Sequence, residues 1–227
     1  MGEALTERQR ARRARILSAA RQLVAEHGYE GTIMRDVAMQ AEVSPTTLYN
    51  LYNTKDELML AALREQLAEG WSLVAADAPG CGLQRLLIQA EVSVGQTVNA
   101  PAYARAITQA LFRAHPGDQI VEALLTDLTR VVGKLLGTMQ AHGDLKAAAD
   151  LDRLAQRTVA CFWTNYYLWA MEITHIDDLE MELKQGFIDV LQASLAPGAA
   201  EGCAELLNAD ALSGNNSTVE TKEARHV

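Results

Sequence analysis

The apolar positions of the chain repeat with the period of an α-helix along most of its length. The first segment has five apolar side chains on one helical face: Ile16, Leu17, Ala20, Leu23 and Val24. Thr6 and Gln9 have the spacing of a capping box before this segment, and Gly28 predicts its end. We find no convincing strand pattern. The pattern therefore predicts an all-α protein.

Two short helices and the start of a longer one are predicted next. Apolar positions predict a helix over about residues 33–41. Ser44 as N-cap and Pro45 in the first turn predict the second short helix. A second capping box, from Thr54 to Glu57, begins the longer helix. Two short helices joined by a tight turn behind a long helix are typical of a helix-turn-helix domain.

Helical periodicity continues beyond residue 60, with turn-forming residues at 77–82, 100–101, 115–118, 142–144 and 175–178. The last two long helices are predicted at about 146–174 and 179–195. The composition then changes to Gly, Ala, Asn, Ser and Thr, which predicts a largely disordered tail with a turn of helix at most over 204–212. We divide the chain into a DNA-binding candidate domain, a larger helical domain and a tail, over residues 1–57, 58–195 and 196–227.

Charge is distributed unevenly along the chain. The 227 residues have a formal net charge of −9, yet residues 1–60 hold eight basic and eight acidic residues, so the negative excess lies beyond them. Five arginines crowd the first helix: Arg8, Arg10, Arg12, Arg13 and Arg15. They predict either a polyanion-binding face or an ordinary solvated face. No run approaches the roughly 20 apolar residues of a membrane helix. Because an apolar signal segment is also missing, we expect a cytoplasmic protein without a membrane partner.

The sequence contains no recognisable catalytic or metal-binding pattern. Cys81, Cys161 and Cys203 are far apart, which argues against a disulfide framework or a zinc site. The five histidines are scattered, and neither an HExxH nor a GxSxG motif occurs. We therefore expect no enzymatic activity, no metal and no cofactor.

The second short helix begins with polar side chains where a helix built only for packing would have apolar ones. Pro45, Thr46 and Thr47 fill its first turn, whose free backbone N–H groups and partial positive charge suit phosphate. Threonine also offers a hydroxyl and a methyl group to base edges. The Tyr49 hydroxyl can donate to phosphate, and Arg35 can bind a guanine edge or a phosphate. These residues predict a DNA-binding surface.

The segment "GYEGTIMRDVAMQAEVSPTTLYNLYNTKDEL" resembles the DNA-binding domain of the TetR family of transcriptional regulators. The matching features are Gly28-Tyr29, Arg35 to Ala38, Val43-Ser44, Thr47 to Tyr49, Tyr52, Lys55 and Leu58. With the first helix, the resemblance covers roughly residues 8–63. It implies a three-helix helix-turn-helix domain followed by a larger helical domain that dimerises and binds a small molecule.

The resemblance also implies which residues touch DNA. Base or phosphate contacts are implied for Arg35, Pro45, Thr46, Thr47 and Tyr49. Lys55 is expected to contact phosphate, and Thr32 and Ser44 are expected to cap helices and also to reach phosphate. Leu48 and Tyr52 are expected to pack beneath the reading helix. The alternative for Tyr49 is a surface tyrosine that covers the first helix.

Two positions depart from the family pattern. Glu42 occupies a turn position where members often have glycine, and a positive φ there strains glutamate by roughly 1 kcal/mol. Leu51 stands where many members have histidine, so one frequent backbone contact to DNA is expected to be missing. Both departures leave the operator sequence open.

An aromatic segment, "CFWTNYYLWAM", is either one wall of a ligand pocket or ordinary core and dimer packing. One helical face carries residues spaced by four, three and four positions: Phe162, Tyr166, Trp169 and Ile173. Asn165 adds a polar group, and Phe112, Tyr103 and Leu87 are further wall candidates by analogy. Because basic residues are few, we favour a hydrophobic effector over a strongly anionic one.

We therefore predict a homodimeric transcriptional regulator, specifically a repressor. It would bind a palindromic operator in double-stranded DNA and be released by a small hydrophobic effector. An apolar stripe in the last long helix, which includes Leu179, Leu183 and Phe187, suits a partner helix at the dimer interface. The alternative is a DNA-organising or protein-binding scaffold of the same fold without ligand gating. An enzyme is the weakest option, because no nucleophile–base pair is visible.

Overall fold

The computed structural model describes residues 6–77, 82–113, 115 and 117–199. Within them the chain forms helices α1 (Glu7–Gly31), α2 (Met34–Gln40), α3 (Pro45–Leu51), α4 (Lys55–Asp77), α5 (Gly82–Asn99), α6 (Pro101–Arg113), α7 (Gln119–His142), α8 (Leu151–Ala170) and α9 (Ile176–Leu191). No strand occurs in these ranges, and none of the described helices is long and apolar enough to cross a membrane. Most of the predicted tail, including 204–212, lies outside the described residues.

The N-terminal caps follow the sequence prediction. Thr6 Oγ1 accepts from the Gln9 backbone N–H, and Gln9 Oε1 accepts from the Thr6 N–H at 2.7 Å, which completes the first capping box. Ser44 Oγ accepts from the Thr47 N–H at 3.0 Å and begins α3. Gly28 has a φ of +72° and a ψ of 173°, so the regular helix is interrupted there, at the predicted residue. A further helical turn to Gly31 follows this kink.

The second capping box is only half formed. Thr54 Oγ1 accepts from the Glu57 N–H at 3.1 Å, as predicted. The Glu57 carboxylate, however, accepts from the backbone N–H of Asn53 at 2.9 Å and from its side-chain amide. The carboxylate thus satisfies the residue before the cap, and Asn53 is fixed against the start of α4.

The last two long helices are shorter than predicted. Asp150 caps α8, with Oδ1 accepting from the Arg153 N–H at 3.1 Å, so residues 146–149 do not join the helix. Instead, the Lys146 N–H donates to Ser194 O and the Ala196 N–H donates to Asp144 O, both at 2.9 Å. These two hydrogen bonds form a short antiparallel bridge where the sequence prediction put the start of one helix, at 146, and the end of the other, at 195.

The core is continuous from the helix-turn-helix region into the larger bundle. Leu48 and Tyr52 pack beneath α3, as predicted, and are 0% and 7% exposed. The apolar stripe of α9 was wrongly predicted to face a partner helix. Leu179, Leu183 and Phe187 are buried within the subunit, where α9 packs against α8 and α5. Burial of the stripe removes this face from any dimer interface.

Candidate DNA-binding surface and ligand cavity

The start of α3 and the start of α2 present polar side chains to solvent. We call Arg35, Pro45, Thr46, Thr47 and Tyr49 the reading surface. Arg35, Pro45, Thr46 and Tyr49 are exposed, and Thr47 is half-buried. Thr47 Oγ1 lies 2.8 Å from Ser44 Oγ, so the N-cap orients this threonine. Exposed Pro45 and Thr46 leave the first turn of α3 accessible to a phosphate.

A polar groove of about 450 Å³ adjoins this surface. The arginine groove, as we call it, is lined by Arg8, Ala11, Arg12, Arg15, Glu42, Val43, Ser44 and Thr47. Three of the five clustered arginines of α1 therefore lie beside the start of α3, whereas Arg10 pairs with Glu7 at 3.3 Å. Three guanidinium groups against one carboxylate give the groove a positive charge suited to a phosphate backbone.

Two residues expected to touch phosphate, buried Thr32 and half-buried Lys55, make hydrogen bonds within the protein. Thr32 is 1% exposed and donates its hydroxyl to Gly28 O at 2.8 Å. Lys55 Nζ donates to Tyr29 O at 3.0 Å and lies 4.6 Å from the centre of the Tyr29 ring. The Tyr29 hydroxyl is hydrogen-bonded to Asp56, and burial, followed by this bond, raises the pKa of Tyr29. The contacts of Tyr29 with Lys55 and Asp56 connect the end of α1 to the start of α4. They lie outside the reading surface.

The two departures from the family pattern have distinct structural consequences. Glu42 has a φ of +54°, in the left-handed region where a side chain is strained. Leu51 is half exposed at the end of α3, with no polar group to offer DNA.

The predicted aromatic wall is divided between different surroundings. Phe162 and Tyr166 pack with ring centres 4.6 Å apart, and Tyr166 Oη lies 3.0 Å from Thr97 Oγ1 in the core. Burial raises the pKa of Tyr166 to about 12, against the opposing effect of the Thr97 hydrogen bond. Trp169 is buried with the Arg105 guanidinium 5.1 Å from its ring centre.

Three other predicted wall residues lie away from the inner cavities. The Asn165 amide donates to Cys161 O at 3.0 Å, on the side of α8 that faces Gly186 of α9. Ile173 follows the end of α8 and is 70% exposed. Phe112 is partly exposed and stacks on Tyr167 at 4.4 Å, so it reaches the outer part of the site only.

Three spaces lie among helices α4 to α9. Two inner cavities of about 30 and 40 Å³ share Leu67, Ser93 and Phe162 in their walls. An apolar groove of about 410 Å³ opens between α6, α7 and α8 and is lined in part by Leu111, Phe112 and Leu125. Trp163 lines both this apolar groove and the larger inner cavity. The groove and cavities together form the candidate ligand site.

Two polar residues of this site, Gln66 and Gln89, were missed in the sequence. They line the inner cavities together with Tyr103, a wall candidate by analogy, and Trp163 of the aromatic segment. The glutamines lie on α4 and α5 within otherwise ordinary helical patterns. No local spacing distinguishes them, because the cavity is assembled from four helices. Burial raises the pKa of Tyr103, so its hydroxyl remains protonated.

The exposed start of α3, the adjoining arginine groove and the larger helical bundle packed behind them are typical of a helix-turn-helix DNA-binding regulator of transcription. Residues 16–62 match the model of the bacterial regulatory proteins of the tetR family. A repressor from Mycolicibacterium smegmatis, KstR, is 30% identical over 183 residues, which cover 78% of this chain and 86% of that protein. The chain belongs to the TetR family of transcriptional regulators.

Other relatives are consistent with this assignment. KstR from Rhodococcus jostii is 28% identical over 78% of this chain and 81% of its own length. The structure of TylP, a TetR regulator from Streptomyces fradiae, has a TM-score of 0.65 at 21% identity and covers 86% of this chain and 91% of its own. The structure of FadR from Bacillus subtilis in complex with stearoyl-CoA has a TM-score of 0.62 at 17% identity, over 77% and 97% of the two chains. These structural similarities show the fold.

Proposed function

We propose that the protein is a dimeric repressor that binds a palindromic operator and releases it when a small, largely apolar effector enters the helical domain. The observation that carries this proposal is the exposed reading surface beside the arginine groove, in a chain that also has a largely apolar site elsewhere. Each subunit would place α3 in a major groove, with the arginine groove against the phosphate backbone.

Helix α6 offers a physical route from the effector to the DNA. It packs against α1, and its Tyr103 and Ile107 line the larger inner cavity. Ile107 also lines a separate cleft of about 400 Å³ between α6 and the end of α1. A ligand that displaces α6 would therefore change the position of α1 and the distance between the two reading surfaces of a dimer.

The dimer would form through the outward faces of α8 and α9. The apolar stripe of α9 is used within the subunit, but Met171 and Met181 expose apolar side chains near the ends of these helices. A twofold dimer would then present two copies of α3 to one face of DNA.

The proposal is tested by incubating the purified protein with sheared genomic DNA from its source organism and sequencing the retained fragments. We expect a few strong sites that share a palindrome, because two identical reading surfaces select two inverted half-sites. Retention should then fall when an effector is added. Broad retention that fades uniformly with salt would indicate phosphate contacts alone and a DNA-organising scaffold.

A further inference from the structure

Buried polar atoms without a partner are concentrated around the inner cavities. They are Gln66 Oε1, Gln89 Oε1, Tyr103 Oη and Trp163 Nε1. Elsewhere among the described residues, only Arg85 Nε and Asp144 Oδ2 are in this state. An unpaired buried polar group is destabilising. Gln66, Tyr103 and Trp163 line the larger inner cavity and Gln89 lines the smaller one. Such a concentration of unpaired atoms points to a hydrogen-bonding partner supplied from outside the chain.

The four unpaired polar atoms determine the chemistry of this partner. Trp163 Nε1–H can only donate, the two glutamine Oε1 atoms can only accept, and the Tyr103 hydroxyl does both. Among the described residues that line the inner cavities and the apolar groove, none carries a formal charge at neutral pH. A carboxylate would enter without a counter-ion, which is costly. A neutral hydroxyl both donates and accepts, so it satisfies both kinds of atom.

The sizes of the spaces suggest how such a molecule lies. Each inner cavity, at about 30 or 40 Å³, has room for little more than one oxygen-bearing group. The apolar groove is about ten times larger, at about 410 Å³. The indole of Trp163 lies at the boundary, since it lines the groove and the larger inner cavity.

We propose that the effector is a neutral, largely apolar alcohol, whose body occupies the apolar groove and whose hydroxyl enters the inner cavity beside Tyr103 and Trp163. The proposal rests on the proposed function in assuming that this site binds the effector. It adds the chemical class of the molecule and the residues that select it.

The test is titration calorimetry of the full-length protein with three probes that share one aromatic ring system: β-naphthol, naphthalene and β-naphthoate. We expect β-naphthol to bind about tenfold more tightly than naphthalene, a difference of about 1.4 kcal/mol, because only the alcohol hydrogen-bonds in the inner cavity. The carboxylate should bind most weakly. Tyr103→Phe should lower the affinity for β-naphthol about tenfold and leave that for naphthalene unchanged. Its melting temperature should not fall, because the substitution removes an unpartnered hydroxyl.

Tyr167→Phe is the matched control, because Tyr167 lies on the same helix as Trp163 but lines neither inner cavity nor the apolar groove. It should leave both affinities unchanged. Trp163→Phe keeps an aromatic wall without the N–H and should also reduce the preference for β-naphthol. Equal affinities for β-naphthol and naphthalene, a preference for β-naphthoate, or no binding of any probe would overturn the proposal.

Operator release is measured separately, so that the two proposals can fail independently. Selective binding of β-naphthol without DNA release would support the assigned site and reject ligand gating through it. The repressor function would be supported, and the alcohol site rejected, if an effector releases the operator and its affinity is unchanged by Tyr103→Phe.

Discussion

Arg35 and Tyr49 differ in what they can recognise on DNA. Arg35→Ala should weaken operator binding by about 1–3 kcal/mol and relax the base preference at one position of each half-site, because a guanidinium can bind a base edge. Tyr49→Phe should weaken binding to all sequences alike, because a hydroxyl directed at phosphate reads no base. Fluorescence anisotropy with operator variants measures both effects.

The control for these variants is Arg153→Ala, which removes an exposed arginine from the start of α8, in a different domain. Its DNA affinity should match the wild type. Unchanged binding in both Arg35→Ala and Tyr49→Phe would show that the reading surface is wrongly assigned.

Glu42 has a strained backbone and places a negative charge in the arginine groove, where it opposes phosphate binding. Glu42→Gly should be more stable than Glu42→Gln by roughly 1 kcal/mol, because only glycine relieves the positive φ of +54°. Both variants remove the carboxylate, so both should bind DNA more tightly at low salt by a similar factor. Urea denaturation and salt titration of DNA binding separate the two effects. Equal stability of the two variants would mean that the turn is unstrained.

Residue-level prediction from the sequence was most successful where the cause is local. Ser44, Pro45 and the strained Glu42 depend on neighbouring backbone geometry, and the structure places them as predicted. Thr32 and Lys55, which were expected to contact phosphate, each donate to a backbone carbonyl near the end of α1, and sequence spacing cannot reveal these bonds.

Helices α8 and α9 approach closely at Gly186. A Cβ added there would lie 2.5 Å from Cys161 Sγ, so Gly186→Ala should destabilise the protein by about 1–3 kcal/mol. Gly137→Ala is the matched control in α7, where an added Cβ meets nothing within 4 Å, and it should stabilise the helix by about 0.5–1 kcal/mol. Chemical denaturation measures both changes.

A double variant identifies the origin of the Gly186 effect. Cys161→Ala removes the sulfur that the new methyl group would meet, so Gly186→Ala should cost less in its presence. The same cost in both backgrounds would show that this contact does not set the spacing of α8 and α9.

Helix existence was predictable from the sequence, but helix ends and helix faces were less so. Apolar periodicity and capping residues are local signals, and they gave the order of the elements. The bridge between residues 144–146 and 194–196 joins segments about fifty positions apart, so it could not be predicted from a local sequence pattern. The apolar stripe of α9 likewise predicts that one face of the helix is buried. It does not show whether that face packs against the same subunit or against a second one.

At the scale of the whole molecule, the two candidate sites differ in how they are built. The reading surface comes from a short stretch of sequence, so its residue types and spacing suffice to predict it. The ligand site draws a few residues from each of α4 to α8. The role of its polar atoms can be inferred only once the structure shows that they lack partners. The DNA-binding class was therefore predictable, whereas the chemistry of the effector was not.

No described residue that lines the inner cavities or the apolar groove also belongs to the reading surface. In evolutionary terms, this separation lets selection change the effector specificity while the DNA specificity is conserved, or the reverse. After gene duplication, substitutions at Tyr103 or Gln89 could give a daughter protein a new signal while it still controls the old genes. Changes at Arg35 could equally place new genes under the old signal.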